Sequence, residues 1–326
     1  MGKVKKHLEG RTKQERCKIR KDMGSLKSLT VQPKTRARYD QARDKFYSFL
    51  KLNSLLLPRQ RSGMDNLLTE YLEHLWATGE GRALASDTLA SLQDIDPRLR
   101  GQIPASWRLL KTWQVHEIPS RAPPFPEKIL QALVGYFLFY EDPAMALSLL
   151  LGYYGMLRTG EVQAIRARDV LISESHTNAV VSLGWTKTGK RTGAAESVTI
   201  SVVEVIRRLN QWQHHVPPSS LMVPSASQWR KKFKEGLEAL EIQSVGFRPY
   251  SLRRGGATFW FSRHGSLDRI LLQGRWLAAR TARTYLNEGL AVLTDLKISS
   301  PAITAFHKVY VNAARLKLPT WRSQNT

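Results

Sequence analysis

The sequence contains a single cysteine, Cys17, and this scarcity excludes several kinds of site. An internal disulfide needs two cysteines, and a zinc site built on several cysteines needs more. The histidines do not cluster at metal-ligand spacing, and the adjacent pair His214 and His215 cannot face one ligand position on a helix. We therefore predict no metal site and expect a reducing compartment.

The sequence also lacks a long apolar run. A membrane-spanning helix needs roughly 18 to 20 apolar residues, whereas the longest candidate, residues 144–157, stops at Arg158. The first residues have no apolar core typical of a secretory signal, and Lys6 stands where an N-myristoylation motif needs Ser or Thr. We expect a buried core helix over 144–157, no membrane partner, and an intracellular protein. It would be nuclear if eukaryotic and otherwise cytoplasmic.

Acidic residues are scarce relative to basic ones. The 27 Asp and Glu face 50 Lys and Arg, which gives a formal net charge of +23. Such an excess favours a polyanionic partner, because neutralising phosphates releases their counterions. Duplex DNA or structured RNA fits this charge better than a membrane surface does.

The length of 326 residues allows about two domains of ordinary size. Residues 1–27 are rich in Lys and Arg and poor in apolar residues, which predicts a flexible basic arm. The arm could follow a DNA backbone, act as a nuclear address or simply be a solvated tail. Apolar residues at helical spacing predict a helical unit over 28–118, with helices near 35–51, 64–77, 83–93 and 104–116.

A proline-rich stretch over 118–126 ends this unit, because neither a helix nor a central strand accommodates it. The second domain therefore covers 119–326. Its pattern predicts helices with one β-rich stretch, in which segments 179–183 and 197–202 flank a hairpin loop that carries cations. The predicted fold class is mainly α with a small antiparallel β-sheet.

Four segments of the second domain carry side chains suited to phosphate chemistry. They are Leu157–Glu161, Thr186–Thr188, Pro249–Arg254 and Gly274–Tyr285. Arg253 and Trp276 precede Tyr285 by 32 and 9 residues. An oxygen nucleophile among guanidinium groups indicates phosphate chemistry, since arginine binds phosphate bidentately and keeps its charge.

The order and spacing of these segments resembles the tyrosine recombinase (phage integrase) family. The family carries Arg, Lys, His-x-x-Arg, His or Trp, and Tyr in that order. The resemblance covers the second domain and extends loosely to the first, so it implies a helical core-binding domain followed by an α+β catalytic domain. It assigns the catalytic positions to Arg158, Lys187, Tyr250, Arg253, Trp276 and Tyr285.

This resemblance implies an enzyme that cleaves and rejoins DNA strands, a site-specific recombinase or integrase of a mobile element. Tyr285 would form a 3′-phosphotyrosyl link, with Arg158 and Arg253 stabilising negative charge on the phosphate. Lys187 would be the general acid, with Lys190 as the alternative. The implied partner is double-stranded DNA, bound by a homotetramer on two sites. No cofactor, neither ATP nor a metal, and no small-molecule substrate is implied.

Tyr250 departs from the family pattern, because it stands where the family has histidine. A tyrosine can donate a hydrogen bond to a phosphate, but it accepts protons less well than imidazole near neutral pH. This departure leaves open a catalytically impaired DNA-binding derivative of the same fold. A type IB topoisomerase-like enzyme, which shares the family's catalytic geometry, is a second alternative.

The remaining candidates have supporting roles. Glu161 is predicted to orient Arg158 or to cap its helix. A C-terminal helix over 302–316 could pack in cis or dock on a neighbouring subunit. The residues predicted to contact DNA are Lys190, Arg191, Arg254, Arg275, Arg280 and Arg283.

Overall fold

The computed structural model describes residues 11–58, 60–118, 121–184, 186, 195–223, 225–286, 288–298 and 300–316. The chain divides into two compact units, Met1–Ser120 and Arg121–Thr326. Each unit has its own cluster of buried apolar side chains. The architecture is mostly helical with one small antiparallel sheet, which confirms the predicted fold class.

The first unit begins with a helix in the segment predicted to be a flexible arm. Its five helices, among the residues described, are α1 (Lys13–Met23), α2 (Pro33–Leu52), α3 (Arg61–Ala77), α4 (Arg82–Ile95) and α5 (Pro104–His116). Thr12 and Glu15 form a capping box at the start of α1, and Arg20 and Lys21 lie in its last turn. The capping box and the charges that complement the helix dipole therefore stabilise α1, which has no apolar stripe.

The core of the first unit comes from the apolar faces of α2 to α5. Phe46, Leu68 and Leu89 are fully buried, and Trp113 is 4% exposed. Helix α2 begins at Pro33, and its N-cap is Gln32. The helix therefore begins two residues before the predicted start near residue 35, because proline is favoured in the first helical turn.

The second unit is built around one of its own helices, which is buried on all sides. Its helices are α6 (Glu127–Phe139), α7 (Pro143–Tyr154), α8 (Thr159–Val162), α9 (Val203–His215), α10 (Ala226–Ala239), α11 (Pro249–His264), α12 (Leu267–Gly274), α13 (Ala279–Arg283), α14 (Glu288–Lys297) and α15 (Pro301–Leu316). Every residue of α7 from Met145 to Tyr154 is buried, which confirms the predicted core helix. Among the described residues, no helix is both long and apolar enough to span a membrane.

A three-stranded antiparallel sheet flanks this helical core. The strands β1 (Val170–Ile172), β2 (Ala179–Gly184) and β3 (Glu196–Ile200) are hydrogen-bonded in that order. Val181 pairs with Val170 on one side and Val198 on the other. Strand β1 is too short to show the alternation by which β2 and β3 could be predicted. Most of the predicted cation-bearing loop, residues 185 and 187–194, lies outside the described residues.

Two adjacent glycines bring α11 against α7. A Cβ atom on Gly256 would lie 1.9 Å from the carbonyl oxygen of Tyr153, and one on Gly255 would lie 2.1 Å from that of Phe125. Both distances are far below van der Waals contact, so only glycine allows the backbones to approach this closely. The approach places Arg253, two residues before the pair, beside the chain that leaves α7.

A Gly256→Ala variant is expected to lose about 1–3 kcal/mol of unfolding free energy or more, because the methyl group meets backbone that cannot move aside. Urea unfolding measures this loss. Gly289→Ala is the matched control in the same unit, since a Cβ there meets nothing within 4 Å. Equal stability of the two variants would contradict the close approach of α7 and α11.

The C-terminal helix α15 packs in cis against α6. A Cβ on Gly135 would lie 1.9 Å from the carbonyl oxygen of Phe306, and the Phe306 ring lies 5.2 Å from that of Tyr136. His307 Nε2 is 2.9 Å from Gln131 Oε1. Of the two placements that the sequence left open, the structure has the cis arrangement.

Candidate active site

Arg158 occupies the N-cap position of α8 and is held there by Glu161. Its backbone N–H donates to Glu161 Oε2 at 2.8 Å, and its Nη1 donates to Glu161 Oε1 at 2.5 Å. One carboxylate therefore caps the helix and orients the guanidinium, which are the two roles predicted for it as alternatives. The Arg158 side chain is 30% exposed, so its outer face remains accessible to a ligand.

Arg253 is the most deeply buried charge of the site, with 1% exposure. Its Nη1 donates to the carbonyl of Met156 and its Nη2 to that of Gly274, both at 2.6 Å. Burial, followed by the charges of Arg158 and Arg275, lowers the pKa of Arg253 to about 10. The group stays charged at neutral pH. Its Nε has no hydrogen-bond partner among the described residues, which leaves a donor for a ligand.

Arg275 follows the end of α12 in the left-handed conformation, at φ 55°. Its Nη2 donates to Glu161 Oε2 at 2.7 Å, and its Nε lies 3.4 Å from Glu196 Oε2. The second contact is an ion pair without hydrogen-bond geometry. The three arginines and two carboxylates of this cluster carry a net charge of 3 − 2 = +1.

Trp276 and Tyr285 pack on one another beside Arg253. Their ring centroids are 4.4 Å apart, and the guanidinium carbon of Arg253 lies 4.9 Å from the Trp276 ring and 5.6 Å from the Tyr285 ring. The two side chains belong to a small buried cluster, in which Tyr285 is 9% exposed. Trp276 Nε1 has no hydrogen-bond partner among the residues described. Both rings therefore lie beside the same guanidinium.

Tyr250 lies at the solvent side of this group. Its ring is 5.3 Å from the Tyr285 ring, and the residue is 46% exposed. Burial and the neighbouring Tyr285 hydroxyl raise the pKa of Tyr250 well above that of an ordinary phenol. Tyr250 is therefore protonated at neutral pH and can donate a hydrogen bond, but it cannot act as a base.

The chain is similar to solved structures of site-specific recombinases. The XerH site-specific recombinase bound to its difH substrate, in a pre-cleavage complex, superposes with a TM-score of 0.54 and 12% identity over 80% of this chain and 79% of that one. A post-cleavage complex of XerH on a palindromic difH substrate gives 0.51 and 11% identity over 76% and 75%. The chain has the tyrosine recombinase fold. No protein-family model and no curated protein sequence matches it.

Within this tyrosine recombinase fold, the structure brings most of the predicted catalytic residues together. Arg158, Tyr250, Arg253, Trp276 and Tyr285 share one cluster around Glu161 and the Arg253 guanidinium. The predicted residues Lys187, Lys190 and Arg191 lie outside the described residues. No group of three or more His, Cys, Asp or Glu side chains in the described part of the chain could hold a metal ion.

The arginines predicted to contact DNA divide into two kinds. Arg280 and Arg283 are exposed on α13, as a DNA contact requires. Arg254 is only 5% exposed, and its Nε has no hydrogen-bond partner among the described residues. The interpretation of Arg275 as a DNA-contacting or solvated cation needs correction. Its side chain is 7% exposed, because the left-handed turn directs it to the carboxylate of Glu161.

Sequence reasoning missed Glu196 and the carbonyl groups that hold Arg253. Glu196 lies at the start of β3, where its Oε2 accepts a hydrogen bond from Thr186 Oγ1 at 2.6 Å. An acidic residue where a strand follows a loop rich in basic residues is a signal that could have indicated Glu196. The carbonyls of Met156 and Gly274 leave no trace in the side-chain pattern.

Glu161→Gln is expected to destabilise the protein near neutral pH. Burial raises the pKa of Glu161, but Arg275 and Arg158 lower it by more, so its pKa lies below the ordinary value. The charged form therefore stabilises the fold above the unfolded pKa of about 4.3, and this stabilisation is lost as the pH falls through the lower folded value. Removing one partner of a buried ion pair costs up to about 3–5 kcal/mol.

Urea unfolding of wild type and Glu161→Gln between neutral and acidic pH measures this effect, and the difference should shrink as the pH falls below about 4.3. Glu235→Gln is the control, because Glu235 is 47% exposed and pairs with Lys231 at 3.7 Å. An exposed pair contributes only about 0–1 kcal/mol. A Glu161→Gln deficit that is independent of pH would contradict the assignment.

Proposed function

We propose that this protein cleaves and rejoins DNA strands as a site-specific recombinase, through a 3′-phosphotyrosyl link on Tyr285. One observation supports this most strongly. The Tyr285 phenol packs against the guanidinium of Arg253, at 5.6 Å, and Arg253 shares the carboxylate of Glu161 with the partly exposed Arg158. A phenol beside a buried arginine, which shares a carboxylate with a second and partly exposed arginine, is suited to attack on a phosphodiester.

The proposed reaction uses two buried donors that have no partner among the described residues and one partly exposed arginine. Arg253 Nε, Trp276 Nε1 and the outer face of Arg158 would bind the non-bridging oxygens of the scissile phosphate. The Tyr285 oxygen forms a bond to phosphorus and releases its proton to solvent water, while the bond from phosphorus to the 5′-oxygen breaks. The leaving 5′-oxygen takes a proton, for which Lys187 is the proposed general acid. A 5′-hydroxyl of the partner strand reverses these steps and releases Tyr285.

Binding to duplex DNA is part of the same proposal. The net charge of +23 favours a polyanion, and the exposed Arg280 and Arg283 lie on the helix just before Tyr285. Assembly as a homotetramer on two sites, and a role in integration of a mobile element, follow from the resemblance of the motifs and are proposed with it.

A nicked duplex tests the chemistry. Duplexes that the protein binds are first selected from a random-sequence library, and a selected site is then rebuilt with a nick that lets the cleaved end diffuse away. We expect a covalent adduct on a denaturing gel, attached to a DNA 3′ end and mapped by peptide mass spectrometry to Tyr285. Absence of an adduct on every bound duplex would contradict the proposal.

A second candidate is a DNA-binding protein that has lost the chemistry. Tyr250 favours it, because a phenol with a raised pKa replaces a histidine and cannot accept a proton at neutral pH. Tyr250→His distinguishes the two. An adduct that forms only in this variant would support the impaired reading, whereas an adduct in wild type supports the enzyme. Relaxation of supercoiled DNA without a specific site would instead indicate the topoisomerase-like alternative.

A further inference from the structure

We infer that Arg275 is a positioning residue, whose guanidinium holds Glu161 and Glu196 so that Arg253 stays available for the scissile phosphate. The inference rests on the proposed function and goes beyond it, because Arg275 corresponds to no position in the set of catalytic side chains drawn from the motifs.

Besides the backbone N–H of Arg158, two arginine side chains lie near Glu161 Oε2 at unequal distances. Arg275 Nη2 lies 2.7 Å from it, whereas Arg253 Nη1 lies 3.7 Å away. Arg253 Nη1 and Nη2 instead donate to backbone carbonyls. Arg275 therefore forms the close ion pair with Glu161 Oε2 that Arg253 would otherwise form. Without Arg275 the cluster charge falls from +1 to 2 − 2 = 0, and Glu161 would compete with a phosphate for the other two arginines.

The other end of the Arg275 guanidinium reaches the sheet. Its Nε lies 3.4 Å from Glu196 Oε2, and the same oxygen accepts the hydrogen bond from Thr186 Oγ1 at 2.6 Å. Thr186 immediately precedes Lys187 in the sequence. Arg275 thus connects Glu161, in the first turn of α8, with Glu196 at the start of β3. A planar guanidinium can span two carboxylates in this way, whereas a lysine ammonium is a single point of charge.

The backbone indicates that this position would otherwise suit glycine. Arg275 has φ 55° directly after the last residue of α12, a left-handed helix end where glycine is preferred. An arginine is strained there, and its ion pairs offset that strain. Substitution by glycine therefore removes the charge while it relaxes the backbone, so loss of function and loss of stability can be separated.

The test compares Arg275→Gly and Arg275→Lys with wild type on the nicked duplex of the selected site. At saturating protein, we expect Arg275→Gly to form the adduct about 10- to 100-fold more slowly, less than the roughly 100- to 1,000-fold typical of a lost direct donor. Its thermal unfolding midpoint should fall by less than that of Glu161→Gln, because glycine relaxes the left-handed turn while the ion pairs are lost. Its affinity for the intact duplex should change by less than about threefold. Arg275→Lys should recover part of the rate. The control is Arg269→Ala, an exposed arginine on α12, with a rate equal to wild type.

A double variant shows whether Arg275 acts through Glu161. If it does, adding Arg275→Gly to Glu161→Gln should slow the reaction by less than about threefold, because the carboxylate that Arg275 neutralises is gone. The inference is overturned if the double variant forms the adduct about 10- to 100-fold more slowly than Glu161→Gln, or if Arg275→Gly alone is as fast as wild type. Either outcome leaves the proposed function standing. A wild type that forms no adduct on any bound duplex overturns both.

Discussion

Tyr285→Phe is expected to form no covalent adduct with the nicked duplex, the largest effect of any single substitution in the chain. The variant loses the one oxygen that would bond to phosphorus, and phenylalanine offers no substitute. The ring can keep its packing on Trp276 and Arg253, since the residue is 9% exposed and its hydroxyl is a small part of its surface. Binding to the intact duplex should stay within about twofold of wild type.

The neighbouring Tyr250 makes a second variant necessary. Its ring lies 5.3 Å from that of Tyr285, and it is the more exposed of the two phenols. Tyr250→Phe should slow adduct formation through loss of a hydrogen-bond donor but should not abolish it. Tyr140→Phe, on an exposed tyrosine far along the sequence, is the control for the substitution itself. An adduct that persists in Tyr285→Phe and disappears when Tyr250 is also replaced would assign the nucleophile to Tyr250.

Helices with a strong apolar stripe were predictable from the sequence, and others were not. Helix α5 has the predicted bounds, Pro104–His116, because proline defines its start and apolar residues repeat along it. Helix α1 has no such stripe and depends on the capping of Thr12 by Glu15. Strand β1 has three residues, too few for an alternating pattern to show.

In the candidate site too, features that depend on neighbouring residues could be predicted from the sequence, whereas contacts between distant residues could not. The order Arg158, Arg253, Trp276 and Tyr285 could be recognised along the chain, because it resembles the motif order of the tyrosine recombinase family. The role of Arg275 could not, since its partner Glu161 is 114 residues away. Arg275 stands in a run of arginines before Tyr285, and only the left-handed turn after α12 separates it from the exposed Arg280 and Arg283. Pairings over such distances depend on the packing of α7, α8 and α12 rather than on local pattern.

Arg253→Ala and Arg253→Lys are expected to show the second largest loss, a rate of adduct formation lower by about 100- to 1,000-fold. The guanidinium of Arg253 contacts the rings of both Trp276 and Tyr285. It also donates hydrogen bonds to two backbone carbonyls, and no other residue of the described chain combines these contacts. Lysine keeps the charge but lacks the planar array of donors, so it cannot satisfy both carbonyls and also bind a phosphate bidentately. Its rate should therefore lie closer to that of alanine than to that of wild type.

Stability must be measured beside the rate, because the same substitutions leave buried carbonyls without donors. Each unsatisfied group costs about 1–3 kcal/mol, and alanine removes the donors to Met156 and Gly274 together. Urea unfolding therefore accompanies the adduct assay, which is run below the onset of unfolding. Arg263→Ala, an exposed arginine on the same helix α11, should change neither quantity appreciably. If Arg253→Lys cleaves at the wild-type rate, the buried guanidinium serves only to join the chain after α7 to the end of α12, and charge stabilisation of the phosphate would have to come from Arg158.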